Sequence, residues 1–218
     1  FYKKVVDAMR YDYVQETIYK DIVMTIPLSR IADIRPGFPF RGRIEEDAAG
    51  DALVVQIRDV SRESGPDWPM LTRTRLSGRR PFPFLQDGDI LLPIRGGNYF
   101  AVHLATVPEP AVAALHFFVL RADAKHVLPA FLAWQLNYGP AQEYFKQVQA
   151  GSAQLGLRRA DVEQAPVAVP PLEQQARFVE LAANIRRQQD IFRQQIANAD
   201  RLLHGLAASL HGQERKNA

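Results

Sequence analysis

Arginine is the residue type with the most chemistry to offer in this chain, and it arrives in runs that contain no acid. Arg35, Arg41 and Arg43 share the stretch RPGFPFRGR with Phe38 and Phe40. Residues 68–86 hold Arg73, Arg75, Arg79 and Arg80, again without a carboxylate, and Arg58 follows the apolar run at 52–57. A guanidinium is a planar fork that fits phosphate oxygens and, bidentately, the O6 and N7 of guanine. Neutralising phosphates also releases counterions, so such runs suit a polyanion. Two further segments put polar groups where backbone can come close. Arg95-Gly96-Gly97-Asn98-Tyr99 follows a strand-like run, and GSAQLGLRR at 151–159 supplies Ser152, Gln154, Arg158 and Arg159. Glycine lets backbone approach a ligand closely, although the same residues also make a plain hairpin turn. A solvated loop is the common fate of any single charge run, so no one segment carries the reading alone.

The chemistry that is missing narrows the class. No glycine cluster matches a dinucleotide or Walker phosphate loop, and no methyltransferase motif is present. The five histidines, at 103, 116, 126, 204 and 211, are scattered; His103 and His116 lie in strand-like runs and read as structural. With no cysteine, the chain has no disulfide framework, thiolate zinc site or cysteine nucleophile. Asp67, Asp123 and Lys125 faintly suggest a nuclease set, but they are far apart and no further acid is suitably placed. The expectation is a protein that binds, with no catalytic residue, no metal and no cofactor.

The elements that must position these arginines are partly legible. At 218 residues, 47% hydrophobic and 23% charged, the composition suits a globular unit with one sizeable core plus an appendage. No apolar stretch approaches the roughly 18 residues that span a bilayer, and no signal-peptide pattern opens the chain. A cytoplasmic location without a membrane partner is therefore expected. The net charge of +3 is too small to demand a polyanion. More telling is that only six of the 27 basic residues are lysine, none between Lys20 and Lys125, although a GC-rich coding sequence would leave the same bias.

Residues 1–23 form a separate polar and aromatic piece, in which Phe1, Val5, Met9 and Tyr13 recur every four residues as on a short helix. Met24 could be a start, which would make that piece an extension. From 24 to 170 the pattern is mixed α/β. Residues 52–57, 89–94, 99–107 and 115–120 read as strands rich in Val, Ile, Leu and Phe. Between them run proline-punctuated loops, 35–51 and 61–86, long enough to be functional. Pro129 opens a helix, and Pro140 opens another through 148.

VAVPPLEQQARF at 167–178 then marks a boundary. Pro170 holds the residue before it extended, Pro171 suits a first helical turn, and Glu173 complements the helix dipole. Beyond it, from 172 to about 210, there is no proline and one glycine, Gly205. Phe178, Leu181, Ile185, Phe192, Ala199, Leu202 and Leu206 fall on alternate steps of three and four, with Gln188 and Gln195 at the remaining seam positions. Polar seam residues set register and partner number more than strength. A helix of some 39 residues would be about 58 Å long. It could fold back on the α/β domain, but that length favours a partner helix. The expected boundaries are a 1–23 extension, a 24–170 recognition domain, a 171–212 spacer or dimerisation helix, and a 213–218 tail.

The order of segments is itself informative. LQDGDILL at 85–92, LPAFLAWQL at 128–136, Gly151-Ser152 with Leu155 and Leu157, and VAVPPLEQQ at 167–175 together resemble the specificity subunits of type I restriction–modification systems. The family pattern has a GDIL strand, a P-x-F-L helix, a glycine–serine loop and a proline corner before a long helix. Here Ala168, Val169 and Gln174 depart mildly from the corner. The resemblance covers about 85–185; before that only the layout agrees. It implies a half-length form, one α/β target recognition domain followed by a long coiled-coil-forming helix. It also implies binding to double-stranded DNA, no catalysis of its own, and target choice for a methyltransferase subunit and, in some systems, a restriction/translocase subunit. The family's usual subunit pairs two such halves through antiparallel helices, so a homodimer is expected here, and the proline corner would aim the helix. Two other readings stay open: a recognition fragment of a fused methyltransferase–nuclease, or a coiled-coil adaptor that binds protein.

Overall fold

The computed structural model describes residues 25–78, 81–95, 99–150 and 156–214, with side chains to residue 208. The chain divides into two compact units, residues 1–176 and 177–218. The proposed N-terminal helix at 1–23 lies outside the described residues.

The first unit is built on two small sheets. Strands β2 (Ala32–Pro36), β7 (Ile90–Pro93), β8 (Val102–His103) and β10 (Phe117–Ala122) form an antiparallel sheet in the order β2-β10-β7-β8. Its centre is apolar because β7 and most of β10 are buried, with Ile90, Leu91, Leu92, Phe117 and Leu120 fully enclosed. Strands β3 (Ala52–Val55), β6 (Thr72–Thr74) and β9 (Ala111–Ala113) form a second sheet, in the order β6-β3-β9, with β3 parallel to β9. The hairpin β4 (Val60–Ser61) and β5 (Gly65–Pro66) and the pair β1 (Thr25–Pro27) with β11 (Pro166–Ala168) complete the strands. Helices α1 (Pro129–Tyr138) and α2 (Pro140–Ala150) each begin at a proline, whose missing N–H is no loss in a first turn. A short helix, α3 (Arg159–Glu163), precedes β11.

The strand expectations at 52–57, 89–94 and 115–120 correspond to β3, β7 and β10. Residues 99–107 yield only the two residues of β8. Here Asn137 takes the place of a neighbouring strand: its Oδ1 accepts from Ala101 N–H (3.0 Å) and its Nδ2 donates to Ala101 O (2.7 Å). The long loop expected at 61–86 holds a hairpin and β6, whose Thr-Arg-Thr sequence has no apolar alternation to announce it.

At the proline corner, helix α4 (Leu172–Glu214) starts just after Pro171, one residue later than expected, with Gln175 N–H donating to Pro171 O at 3.1 Å. Gln175 is fully buried. Its Oε1 accepts from Leu128 N–H (2.8 Å), while its Nε2 donates to His126 O (2.9 Å) and Pro170 O (2.7 Å). One amide thus satisfies the approach to α1, the corner and the first turn of α4, groups that burial would otherwise leave unpaired. Gln175→Ala should therefore cost about 3 kcal/mol in urea unfolding of the full chain, several times the roughly 1 kcal/mol of an ordinary single hydrogen bond. A change under about 1 kcal/mol would show that water replaces the amide.

Beyond residue 176, α4 is solvent-exposed along nearly its whole described length. Leu181, Ile185, Phe192 and Leu202 are 54, 48, 60 and 63% exposed. Gln188, Gln195 and Ala199 are exposed on the same seam, and Phe178 is half-buried. Ile191, Ile196 and Leu203, also exposed, flank the seam and make the apolar stripe wider than a strict two-residue repeat. Among the described residues no helix is long and apolar enough to cross a membrane.

Candidate nucleic-acid interface

The first two arginine segments meet in space. The loop at 36–51 lies against β6: Asp47 N–H donates to Arg73 O (2.9 Å), Thr74 Oγ1 donates to Glu45 O (2.6 Å), and Arg75 Nε pairs with Asp47 (3.1 Å). Gly50 permits this approach, since a Cβ there would fall 2.3 Å from the carbonyl carbon of Thr74. Four phenylalanines support the surface from below. Phe38 packs edge-on to Phe40 and Phe82, and Phe82 to Phe84, with centroids 4.8 to 6.1 Å apart. Leu76, Ala52, Val54 and Val112 complete that cluster. The aromatic residues of RPGFPFRGR are thus mainly a foundation for the arginines.

Charge on this surface is unevenly tied down. Arg41 and Arg43 are exposed, and among the described residues neither has an ion-pair or hydrogen-bond partner. Arg73 pairs with Glu109, and Arg58 lies 3.4 Å from Asp59 while remaining 73% exposed. Arg75 holds the Asp47 carboxyl below the usual aspartate range, first through the side-chain hydrogen bond, with a further contribution from Ala49 N–H. These are solvent-facing pairs, worth at most about 1 kcal/mol, so a phosphate can compete for their arginines. Beside them opens a polar cleft of about 530 Å³ lined by Arg43, Glu45, Glu46, Gln56, Arg58 and Thr72. A second, more apolar cleft of about 610 Å³ lies among Asp51, Pro81, Phe82, Phe84 and Pro110.

The third and fourth segments also converge. Leu157 N–H donates to Ile94 O at 3.1 Å, and Gly156, at φ +139°, passes so close that a Cβ would sit 2.6 Å from that oxygen. Arg95 beside it is exposed. Arg158 and Arg159 open α3 and pair with Asp161 (3.1 Å) and Glu163 (2.7 Å). Burial alone would raise the Asp161 carboxyl, but the hydrogen bonds from Arg158 outweigh it and hold it low. Arg79, Arg80, Asn98, Ser152 and Gln154 lie outside the described residues.

Two residues expected to touch DNA are placed differently. Arg35 points inward from β2, donating to Asp89 (3.2 Å) and to Phe84 O (3.0 Å). Asp89 is 1% exposed and also takes both arms of Arg121, at 2.8 and 2.9 Å. That bond raises the Arg121 pKa above its ordinary value, outweighing desolvation. Tyr99 is buried, its ring edge-on to Phe145, and among the described residues its enclosed hydroxyl has no hydrogen-bond partner; burial raises its pKa. Arg35 and Tyr99 are framework residues, engaged by sheet and core. Burial likewise lowers the His103 pKa.

Sequence reasoning passed over Glu45, Glu46, Gln56 and Thr72, because acids and amides outside a basic run gave no signal of their own. Among the described residues no group of His, Asp and Glu could hold a metal ion.

No protein-family model matches the chain, and neither does any curated protein sequence. Solved structures do. One is a chain from work on complex assembly and conformational transition of the type I R-M system, 15% identical over 94% of this chain and 52% of that one, with a TM-score of 0.61. Another is the HsdS subunit from Thermoanaerobacter tengcongensis, 16% identical over 86% of this chain and 44% of that one, with a TM-score of 0.58. At these identities the likeness is one of fold: a mixed sheet-and-helix domain followed by a long helix, as in a type I specificity subunit. The chain spans about half the length of the chains it matches.

Proposed function

We propose, from this specificity-subunit fold, that the chain is a sequence-reading DNA-binding protein of a type I-like restriction–modification system. The observation that carries the reading is the convergence of two arginine segments, far apart in sequence, on one surface held by an aromatic core. Arg41, Arg43, Arg58, Arg73 and Arg75 supply phosphate and guanine contacts there, with Arg79 and Arg80 from the same segment. Arg95, Arg158 and Arg159 form a second contact zone, and Asn98, Ser152 and Gln154 of the same two segments are further DNA contacts in this reading. The chain catalyses nothing itself and directs a methyltransferase subunit, and a restriction/translocase subunit where one accompanies it. Its long helix pairs with a second copy, and the flanking residues Ile191, Ile196 and Leu203 offer apolar area to the methyltransferase subunit. Mapping methylated sites in the host genome with and without this gene tests the reading. One sequence motif should lose its methylation when the gene is removed, and an unchanged map would overturn the proposal.

Alanine at Arg73, Arg75, Arg79 and Arg80 together should leave folding intact, because surface substitutions seldom exceed about 0.5 kcal/mol. DNA affinity should fall, and the slope of log affinity against log salt should drop by roughly 1 for each phosphate the variant no longer neutralises. Titration of the variant at three salt concentrations checks this. Unchanged affinity and slope would remove the segment from the DNA face.

A further inference from the structure

The polar cleft beside β6 carries equal and opposite formal charge, Arg43 and Arg58 against Glu45 and Glu46, and is lined also by Ile44, Gln56 and Thr72. This is an odd lining for a surface that meets phosphates, because a carboxylate repels them and each acid subtracts from counterion release. Nor are these acids held by neighbours: among the described residues neither Glu45 nor Glu46 has a side-chain partner. The backbone beneath them is nevertheless fixed, through Glu45 O to Thr74 Oγ1 at 2.6 Å and Asp47 N–H to Arg73 O at 2.9 Å. Gln56 is fixed too, its N–H donating to Asp59 Oδ2 at 3.1 Å.

Resting on the DNA-binding reading above, we propose that this cleft reads a C·G base pair in the major groove. A glutamate carboxylate accepts from the exocyclic N4 amino group of cytosine, and Arg43 or Arg58 donates to O6 and N7 of its guanine. In the major groove cytosine presents a donor where guanine presents two acceptors, so a carboxylate beside a guanidinium is the complement of that pair. Thymine in the cytosine's place is disfavoured because it sets its O4 against the carboxylate, and adenine there leaves the guanidinium facing thymine, with one acceptor where guanine offers two. Gln56, able both to donate and to accept, suits a neighbouring adenine edge.

The test is selection of bound duplexes from random DNA by the full chain, its Glu45→Gln and Glu46→Gln variants, and the double variant. Glutamine keeps the size and removes the charge, so folding is preserved. At least one variant should lose cytosine preference at one position of each half-site, with discrimination there falling about 10-fold or more and other positions unchanged. If all variants bind every duplex more tightly by the same factor and select the parent motif, the acids are only surface charges and the inference is overturned. That outcome leaves the DNA-binding reading standing. A parent chain that selects no motif at all overturns that reading and this inference with it.

Discussion

Asp89→Ala should lower the melting temperature of the full chain by about 6–12 °C, corresponding to about 3 kcal/mol. The Asp89 carboxylate is almost fully enclosed and receives three guanidinium hydrogen bonds, two from Arg121 and one from Arg35, besides Gln86 N–H at 2.9 Å. Its removal leaves two cations facing each other and a backbone donor unpaired. Arg35 and Arg121 are 24 and 39% exposed, so water recovers part of the loss, and the lower end of the roughly 3–5 kcal/mol for a broken buried pair applies. The arginines should rank by geometry. Arg121→Ala removes two short charge-assisted bonds to the buried carboxylate, at 2.8 and 2.9 Å, and should cost more than Arg35→Ala, which removes one longer bond to it at 3.2 Å and one to the neutral Phe84 O at 3.0 Å. Because Arg35 also holds Phe84 O, Asp89→Ala should loosen the segment before β7 and weaken DNA binding indirectly. An order of Arg35 above Arg121, measured by thermal melting, would contradict the clamp.

That clamp also shows where sequence reasoning reaches its limit. The DGDIL run announced a strand, and β7 is there. The reason for its aspartate was invisible, because Arg35 sits 54 residues away and looks, in sequence, like any arginine of its run. Long-range pairing decides whether a guanidinium faces a ligand or the core, and composition carries no trace of it. Tyr99 is a second case: its place in a glycine-containing segment suggested a ligand contact, but its ring packs edge-on to Phe145. By contrast α4 was legible over its whole length, because a seam repeated every seven residues is a local signal. The five-residue α3 is too short for any periodicity to show. The base-pair cleft lies at the far end of this scale. Glu45, Gln56 and Thr72 belong to three separate segments, and only the pairing of β6 with β3 and of the 36–51 loop with β6 brings them together.

Glutamate at both Leu181 and Ile185 should abolish self-association and, with it, selective binding to a two-part DNA site. These side chains are 54 and 48% exposed in the single chain, so a partner helix has about half of each left to cover. Burying a leucine or isoleucine fully contributes about 1.5–3 kcal/mol. Half that, for two residues in each of two helices, gives at least about 3 kcal/mol, or a hundredfold in dimer affinity before the repulsion of four new charges. Gln188 and Gln195 occupy the polar seam positions, and leucine there should strengthen the pair or shift its register. In the proposed dimer, a two-fold axis between antiparallel helices would relate two identical reading heads by 180°, so the preferred DNA should be an inverted repeat with an unread spacer. The 43 residues of α4 extend about 64 Å, which caps the separation at roughly 19 base pairs at 3.4 Å each, and helix overlap shortens it further. Light scattering at roughly tens of micromolar reads the first half of the prediction, where a parent chain that stays monomeric would remove the dimer. Selection from random DNA reads the second: the parent should return a gapped inverted repeat and the double glutamate variant a single half-site, whereas an ungapped or asymmetric parent site would show that the helices do not pair antiparallel on DNA.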